Sequence, residues 1–246
     1  MTKILVTGST GQLGRPTTNA LRGAGEDVRE LTRSGSDGSV AADLVAGTGL
    51  GEAFAGVDTV VHLATSNSKR DLGMATNLMA AAEHAGVSHL VLVSIVGIEH
   101  IPLGFYRDRL GVEEIARASS IPLTIQRATQ FHSLFDMIFS IQKFSPVIIA
   151  PRWRFQPIAV EEVGKKLAEL AVAGPQGRVD DIGGPEQHTM KELHAAWKSA
   201  TGSRRPLWDL HLPGKLFAAY DSGVNLVPGK PYGEQTFESY LQAKYR

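Results

Sequence analysis

The sequence contains no cysteine among its 246 residues. This absence excludes a disulfide framework, a thiolate nucleophile and any zinc or iron–sulfur site built on cysteine. A chain without cysteine fits the reducing environment of the cytoplasm, which is the location that we expect for this protein.

The chain also lacks net charge, because 25 basic residues balance 25 acidic ones. No overall electrostatic field therefore recruits DNA, RNA or an anionic membrane. We expect no nucleic-acid partner and no membrane partner, and the balance leaves a small-molecule substrate as the natural ligand.

Long apolar runs are missing as well. The longest extends from Leu90 to Ile98 and is interrupted by Ser94 and Gly97, far short of the roughly 20 residues that span a bilayer. The first apolar run, residues 4–6, is too short to be the core of a signal peptide.

What the sequence does contain is an alternation of short β-branched runs with longer segments whose apolar residues recur at helical spacing. The spacing predicts strands at 3–7, 27–32, 40–42, 58–63, 89–94 and 122–126. It predicts helices at 13–23, 50–55, 71–85 and 106–118. Such repeated βαβ units are typical of an α/β fold with a doubly wound parallel sheet of the Rossmann type.

The alternation weakens after Arg127, and nine of the twelve prolines follow it. Two more helices are predicted there, at 160–173 and 189–200. We expect residues 1–127 to form mainly the dinucleotide-binding core and residues 128–246 mainly a smaller substrate-side lobe, integrated with the core as one globular unit.

The strongest motif directly follows the first strand and opens the first helix. It consists of the residues Thr7, Gly8, Ser9, Thr10, Gly11, Gln12, Leu13 and Gly14. In a GxxGxxG turn the glycines permit a sharp bend, a close approach of pyrophosphate and tight packing of helix on sheet, while the helix N-terminus attracts the phosphate. The alternative is a plain structural turn.

The end of the second strand distinguishes the two nicotinamide dinucleotides. Arg33 lies 19 residues after Gly14 and is followed by Ser34, at about the distance expected for the residue that contacts the adenosine ribose. A cation at this position favours the ribose phosphate of NADP(H). The alternative is that Glu30 contacts the ribose and NAD(H) binds instead.

Together with four further segments, the glycine motif resembles the atypical short-chain dehydrogenase/reductase superfamily. Within it, the chain resembles the NmrA-like NAD(P)-binding proteins and their quinone-reductase relatives. The segments besides residues 7–14 are 31–33, 91–94, 126–132 and 155–163. The resemblance implies that Asp43 and Leu44 lie beside the adenine, that Ala64 and Thr65 pass near the adenosine half, and that the loop after Arg127, including Gln130, faces the nicotinamide.

The chain departs from the superfamily at its catalytic pair. Many short-chain reductases place a Tyr-xxx-Lys pair on the helix after the Ser94 strand, and here the matching residues are Phe105 and Arg109. Phe105 has no proton to donate. Arg109 could hold the ribose as a fixed cation, and Tyr106 could donate a proton if the helix register shifts, although an ordinary packing role for Tyr106 stays open.

Two other side chains are candidates for chemistry. Ser94 could donate a hydrogen bond to a substrate carbonyl, or it could only cap its strand. His132 could transfer a proton near neutral pH, or it could form part of the wall. None of the eight histidines has the spacing of a zinc motif, so we expect no metal site.

These residues support two hypotheses. The first is an NADP(H)-dependent oxidoreductase that reduces a small carbonyl or quinone-like substrate by hydride transfer. The second is a non-catalytic NADP(H)-binding redox sensor of the NmrA type, which would report to a protein partner. Loss of the Tyr-xxx-Lys pair favours the sensor, and the apparently full substrate lobe favours the enzyme.

Overall fold

The computed structural model describes residues 2–35 and 38–246. The chain forms two compact units. The sheet unit consists of Met1–Ser94, Gly104–Arg127 and Val160–Asp180, and the second unit of Ile95–Leu103, Ala128–Ala159 and Asp181–Arg246.

The sheet unit is built around a seven-stranded sheet in the order β3-β2-β1-β4-β5-β6-β9. Its first six strands follow the strand order of a dinucleotide-binding Rossmann fold. The strands are β1 (Lys3–Thr7), β2 (Asp27–Thr32), β3 (Val40–Ala41), β4 (Thr59–His62), β5 (His89–Ile95), β6 (Leu123–Ala128) and β9 (Gly177–Arg178).

Parallel pairing brings the ends of the central strands together. Thr7, the last residue of β1, pairs with Leu31 of β2 and with His62, the last residue of β4. The strands have buried apolar side chains such as Leu5 and Val60, both fully covered, as expected for a sheet with helices on both faces. The loops that leave β1 and β4 therefore start side by side.

The described residues of the sheet unit form five helices. They are α1 (Gly14–Gly23), α2 (Leu50–Phe54), α3 (Arg70–Ala85), α4 (Gly104–Ala118) and α6 (Val160–Ala173). Helix α6 packs against α1, and a Cβ atom on Gly164 would lie 2.9 Å from the Thr17 nitrogen. Glycine thus permits this close helix contact. Residues 160–180 belong to the sheet unit.

The second unit combines short strands with four helices. Strands β8 (Arg154–Phe155) and β10 (His188–Thr189) pair antiparallel, and strands β7 (Ile148–Pro151) and β11 (Leu207–Leu210) pair parallel. Its elements are α5 (His132–Ser140), β7 (Ile148–Pro151), β8 (Arg154–Phe155), β10 (His188–Thr189), α7 (Met190–Thr201), β11 (Leu207–Leu210), α8 (Lys215–Asp221) and α9 (Phe237–Tyr245).

Aromatic side chains fill much of the interior of the second unit. The rings of Phe135 and Phe155 lie edge to face with their centroids 5.0 Å apart, and Phe139 packs against Trp197. The Asp136 carboxylate accepts hydrogen bonds from Trp197 Nε1 and Tyr245 Oη. These bonds fasten α9 to α5 and α7.

Every strand and helix predicted from the sequence is present with small shifts at its ends. The α/β fold with a Rossmann-type parallel sheet is confirmed. The predicted helix at 189–200 is α7, which begins at Met190 and is capped by Thr189, whose side chain accepts from the Glu192 nitrogen in a capping box.

Candidate functional site

The glycine turn after β1 is held in a conformation that requires glycine at two positions. Gly8 has φ +68°, and a Cβ atom there would lie 2.7 Å from the Ala64 nitrogen. A Cβ atom on Gly14 would lie 2.1 Å from the Gly8 carbonyl oxygen. Gly8 thus lets the turn touch the loop after β4, and Gly14 lets α1 begin directly behind the turn.

Gly11 lies in a more open position at the tip of the turn. Its nitrogen donates to the Gly8 carbonyl oxygen over 3.0 Å, and a Cβ atom added to it would contact only that oxygen, at 3.1 Å. Thr10, Gly11 and Gln12 are exposed, whereas Leu13 is buried. The tip therefore presents main chain to solvent at the start of α1.

The glycine turn and the start of α1 together form a cradle. Two further observations indicate that this cradle fits the pyrophosphate of a dinucleotide. Residues 14–17, the first turn of α1, contain no acidic side chain that would compete for its N-terminal charge. The Ser9 hydroxyl is buried and has no hydrogen-bond partner within residues 2–35 and 38–246. A buried polar atom left in this way requires an explanation, and a bound phosphate would provide one.

Two charged residues near the end of β2 have different surroundings. Glu30 accepts a hydrogen bond of 2.7 Å from Arg22 Nη2, so its carboxylate is already paired with α1. Arg33 follows the strand and is exposed, as is Ser34. Thr32 holds the turn that follows β2, because its hydroxyl oxygen accepts a hydrogen bond from the Gly35 nitrogen. The Arg33 side chain is thus accessible to a ligand at this end of the sheet, whereas the Glu30 carboxylate is already bonded to Arg22.

Asp43 and Leu44 lie in the turn after β3. Asp43 Oδ1 accepts from the nitrogens of Val45 and Ala46, so this oxygen closes its own turn. The Leu44 side chain is buried in the core, and its carbonyl oxygen accepts from Asn77 Nδ2. An adenine at this position would meet the main chain and the second carboxylate oxygen of Asp43.

A buried histidine joins the ends of β1 and β4. The Thr7 hydroxyl oxygen accepts from the nitrogens of Leu63 and Ala64, and its own proton then points to His62 Nδ1, 2.8 Å away. Nδ1 is therefore the unprotonated nitrogen of a neutral ring. Burial, assisted by the charge of Arg109, lowers the pKa of His62 to about 3.

The loop after β4 is held by the first turn of α3. Asp71 accepts from Thr65 Oγ1, from the Ser66 nitrogen and from Ser66 Oγ, over 2.5–2.6 Å. Asn67, which follows, has the left-handed φ of 53°. Burial would raise the pKa of Asp71, but the hydrogen bonds from Ser66 and Thr65 and the charge of Arg109 outweigh it and lower that pKa.

Arg109 is buried rather than directed to solvent. Its Nη2 donates to the Val93 carbonyl oxygen over 2.7 Å, and its Nη1 lies 4.0 Å from Asp71 Oδ2. Nη1 has no hydrogen-bond partner within the described residues. In this position the Arg109 guanidinium connects α4 to β5 and to Asp71, the residue that holds the loop after β4.

The other residues of the expected catalytic region differ in exposure. Phe105 is exposed and Tyr106 is buried. Ser94 is buried beside Glu113, whose carboxylate forms a two-pronged ion pair with Arg127 at 2.7 and 2.9 Å. Burial would raise the pKa of Glu113, but the hydrogen bonds and charge of Arg127 and the hydrogen bond from Arg117 hold that pKa below its ordinary value. Ser94 is thus placed with a structural ion pair.

His132 begins α5 in the second unit and is enclosed by aromatic rings. Its ring stacks on Tyr240 with centroids 5.4 Å apart and lies 5.8 Å from Phe237. Nε2 lies 3.1 Å from the Gln235 carbonyl oxygen, which can only accept, so Nε2 carries the proton. The side chain is buried. These contacts describe a histidine that packs α9 onto α5.

The segment between β6 and α5 is tied to its neighbours. The Gln130 carbonyl oxygen accepts from the Ile158 nitrogen, and Thr129 Oγ1 donates to the Gln156 carbonyl oxygen over 2.5 Å. Gln156 itself is buried, donating to Gly184 and accepting from the Val227 nitrogen. Gln156 therefore positions three segments of the second unit, a role that the sequence analysis did not identify.

The sequence analysis also missed the polar cluster of His62, Asp71 and Glu113. Asp71 carries one recognisable signal, since it is an acidic residue in the first turn of a predicted helix. His62 bonds to Thr7, 55 residues away, and Glu113 bonds to Arg127, 14 residues away, and no local pattern reveals these two contacts. The second partner of Glu113, Arg117, is a local i,i+4 neighbour on α4.

Within residues 2–35 and 38–246, histidine, aspartate and glutamate side chains form no group of three or more that could hold a metal ion. Over the same residues, no helix has the length and apolar character needed to cross a membrane.

Comparison with known proteins gives the family. The sequence pattern of the NmrA-like family matches residues 1–226. The chain belongs to this family. A curated relative of this NmrA-like chain, from Streptomyces griseus, is a (4-alkanoyl-5-oxo-2,5-dihydrofuran-3-yl)methyl phosphate reductase. It is 30% identical over an alignment of 219 residues, which covers 83% of this chain and 75% of the relative.

Solved structures share the fold of this NmrA-like chain at low identity. The NADPH-dependent quinone oxidoreductase QOR2 of Escherichia coli, complexed with NADPH, has a TM-score of 0.85 at 18% identity and covers 99% of this chain and 100% of its own. The triphenylmethane reductase of Citrobacter sp., complexed with NADP(H), has a TM-score of 0.77 at 20% identity. The match covers 98% of this chain and 99% of the reductase.

Proposed function

We propose that this NmrA-like chain is an NADPH-dependent reductase that transfers hydride to a small quinone-like or conjugated carbonyl acceptor. The observation that carries the proposal is the cradle at the start of α1, with an open Gly11 and a buried Ser9 hydroxyl that has no hydrogen-bond partner among the described residues. The reductase relative and the NADPH-binding proteins of the same fold support it.

The choice of NADPH over NADH rests on Arg33 and Glu30. Arg33 is exposed at the end of β2, while Glu30 is paired with Arg22. A ribose phosphate would gain a charge-assisted hydrogen bond of about 1.5–3 kcal/mol from Arg33, which corresponds to about ten- to hundredfold in affinity. A ribose without the phosphate would find no free carboxylate at Glu30.

In this proposal the chain's own residues bind and position the cofactor. The turn from Gly8 to Gly14 holds the pyrophosphate, and Asp71 fixes the loop at Thr65 and Ser66 beside the adenosine half. NADPH, when bound, supplies the hydride. Because Arg109 is engaged by Val93 and Asp71, we assign it to positioning this loop and not to direct contact with the nicotinamide ribose.

The class of acceptor follows from the lack of a proton donor at residue 105. Hydride addition to an ordinary ketone gives an alkoxide, which needs a positioned acid, and Phe105 cannot serve as one. Hydride addition to a quinone gives a phenolate, and a phenol has a pKa of about 10. Water can protonate such a product. Quinones and conjugated carbonyl compounds therefore suit this site better than simple ketones.

A sensor of the NmrA type is the second candidate. Phe105 in place of the usual tyrosine, and the buried position of Arg109, support it. The two functions are separated by following NADPH oxidation with a panel of quinones, conjugated lactones, aldehydes and ketones, alongside direct measurement of NADPH binding. Turnover with any quinone or conjugated carbonyl supports the reductase. Tight binding of NADPH without oxidation by any compound supports the sensor.

A further inference from the structure

An exposed apolar patch lies on the second unit. Its six residues are all at least two-fifths exposed, and Phe144 reaches 91%. Scattered exposed apolar side chains are normal, but a cluster of large ones marks a surface that contacts something else. The members of the apolar patch are Met137, Ile141, Phe144, Ile149, Trp208 and Leu212.

Hydrogen bonds hold the segments of the apolar patch together. The Ile141 nitrogen donates to the Met137 carbonyl oxygen, so these residues are one helical turn apart at the end of α5. The Gln142 side chain bonds both the nitrogen and the carbonyl oxygen of Ile149. Ile149 is paired with Trp208 in the β7–β11 register, and both are on the exposed side. The segments that carry Met137, Ile141, Ile149 and Trp208 are thus joined, and Phe144 and Leu212 follow closely along the chain.

The segments that carry this surface are strongly basic, although the whole chain is neutral. Segments 137–154 and 198–215 contain seven cations and one anion, a net charge of +6 when histidines are left out. The anion, Asp209, is paired with Arg152 over 3.0 Å, and Lys143 lies over the Phe144 ring. The cations are Lys143, Arg152, Arg154, Lys198, Arg204, Arg205 and Lys215.

We propose that the apolar patch and its basic border form a docking surface for an anionic lipid bilayer. Aromatic and aliphatic side chains that enter the interface, surrounded by cations that meet lipid phosphates, are the features of peripheral membrane binding. A second copy of the chain fits less well, because a two-fold contact through this surface would bring two like-charged borders together. The proposal does not depend on the reductase assignment.

The balanced total charge led us to expect no membrane partner. That reasoning concerned the field of the whole molecule, and the field at one surface depends on the local charges within about 8–10 Å. Asp209 pairs with Arg152, and the acids that balance the other six cations lie outside these two segments of the sequence. A neutral chain can therefore still present a basic surface.

The test is sedimentation of the full-length protein with vesicles, either of phosphatidylcholine alone or of phosphatidylcholine mixed with phosphatidylglycerol. We expect binding to the anionic vesicles, weaker binding as salt is added, and little binding to the neutral ones. The double variant Lys143→Gln, Arg204→Gln should lower the partition coefficient about 25-fold, at about fivefold for each cation. Lys69→Gln, Lys165→Gln removes two exposed cations elsewhere and should change it little.

The apolar side chains are tested with Phe144→Ser, Trp208→Ser, and Val172→Ser serves as a control because Val172 is 49% exposed on α6. The first variant should lose most binding, and the control should retain it. Absence of binding to anionic vesicles, or equal binding to both kinds, overturns the proposal. A dimer in solution that Phe144→Ser, Trp208→Ser dissociates would assign the surface to a second copy and also overturn it.

Discussion

Arg109 and Asp71 form a buried ion pair in which Nη1 and Oδ2 lie 4.0 Å apart, with 7% and 2% of the two side chains exposed. The pair connects α4 with the carboxylate that binds Thr65 and Ser66. It therefore links the helix of the altered catalytic pair to a loop on the adenosine side of the proposed cofactor site.

Arg109→Gln should weaken cofactor binding through this loop. Removing one partner of a buried ion pair costs about 3–5 kcal/mol of stability, and Asp71 would then hold Thr65 and Ser66 less firmly. We expect equal losses of affinity for NADPH and for the adenosine bisphosphate fragment that lacks the nicotinamide ribose. Calorimetric binding of both ligands measures this. Loss of NADPH affinity alone would place Arg109 on the ribose instead.

Gly11 and Gly14 should respond to substitution in opposite ways. Gly11→Val adds atoms at the open tip of the turn, so we expect the fold to keep near-normal stability. The affinity for NADPH should fall at least about hundredfold, because the pyrophosphate would lose two charge-assisted hydrogen bonds. Gly14→Ala places a Cβ atom against the Gly8 carbonyl and should instead lower the unfolding free energy by about 1–3 kcal/mol or more. Urea unfolding and NADPH binding of both variants distinguish these effects. Normal NADPH affinity in Gly11→Val would remove the pyrophosphate from this turn.

His62 should make the fold sensitive to mild acid. Its pKa falls from 6.5 to about 3 in the folded chain, so the unfolded state binds the proton more readily. The stability that the neutral ring provides is complete above pH 6.5 and declines as the pH falls toward 3. At pH 5 the loss is about 2 kcal/mol.

The measurement for His62 is urea unfolding at pH 7.5 and at pH 5. His62→Asn keeps an acceptor for Thr7 and should lose less stability over this interval than the unmodified chain. His100→Asn, at an exposed histidine, should leave the pH dependence unchanged. An unchanged slope in His62→Asn would mean that His62 does not titrate as its burial implies.

His132→Gln should affect stability more than turnover. The variant loses the contacts of the ring with Tyr240 and Phe237 and alters the bond to Gln235, for which we expect a loss of about 1–3 kcal/mol. Turnover with a quinone, measured from pH 6 to pH 8, should stay close to normal. A fall of about a hundredfold or more would instead show that His132 transfers a proton.

The regular part of the fold was predictable because its signals are local. The β-branched runs of β1 and β4 and the apolar stripe of α3 are visible within single segments, and all three elements occur where predicted. Helix α5 was missed because apolar residues surround it at Leu134, Phe135, Met137, Ile138 and Phe139, which leaves no distinct stripe. The two-residue strands β8 and β10 depend on each other and have no pattern of their own.

Some residues of the candidate site were also predictable from local sequence signals, and others were not. The glycine turn and Arg33 are recognisable from spacing, because strand, turn and helix follow one another directly. The inward direction of Arg109 depends on Asp71, which is 38 residues away in the chain. The enclosure of His132 depends on α9 and the residues just before it, more than 100 residues away. Such contacts exist only after the chain has folded.

The central claim is that the chain oxidises NADPH with a quinone and selects this cofactor through Arg33. The most direct measurement is kcat/KM for NADPH and for NADH with a simple para-quinone, in the unmodified chain and in Arg33→Ala, with Gly11→Val as the blank. We expect NADPH to be preferred, and Arg33→Ala to lower kcat/KM for NADPH about ten- to hundredfold while leaving NADH unchanged. Equal losses for both cofactors, or no oxidation above the blank, would contradict the account.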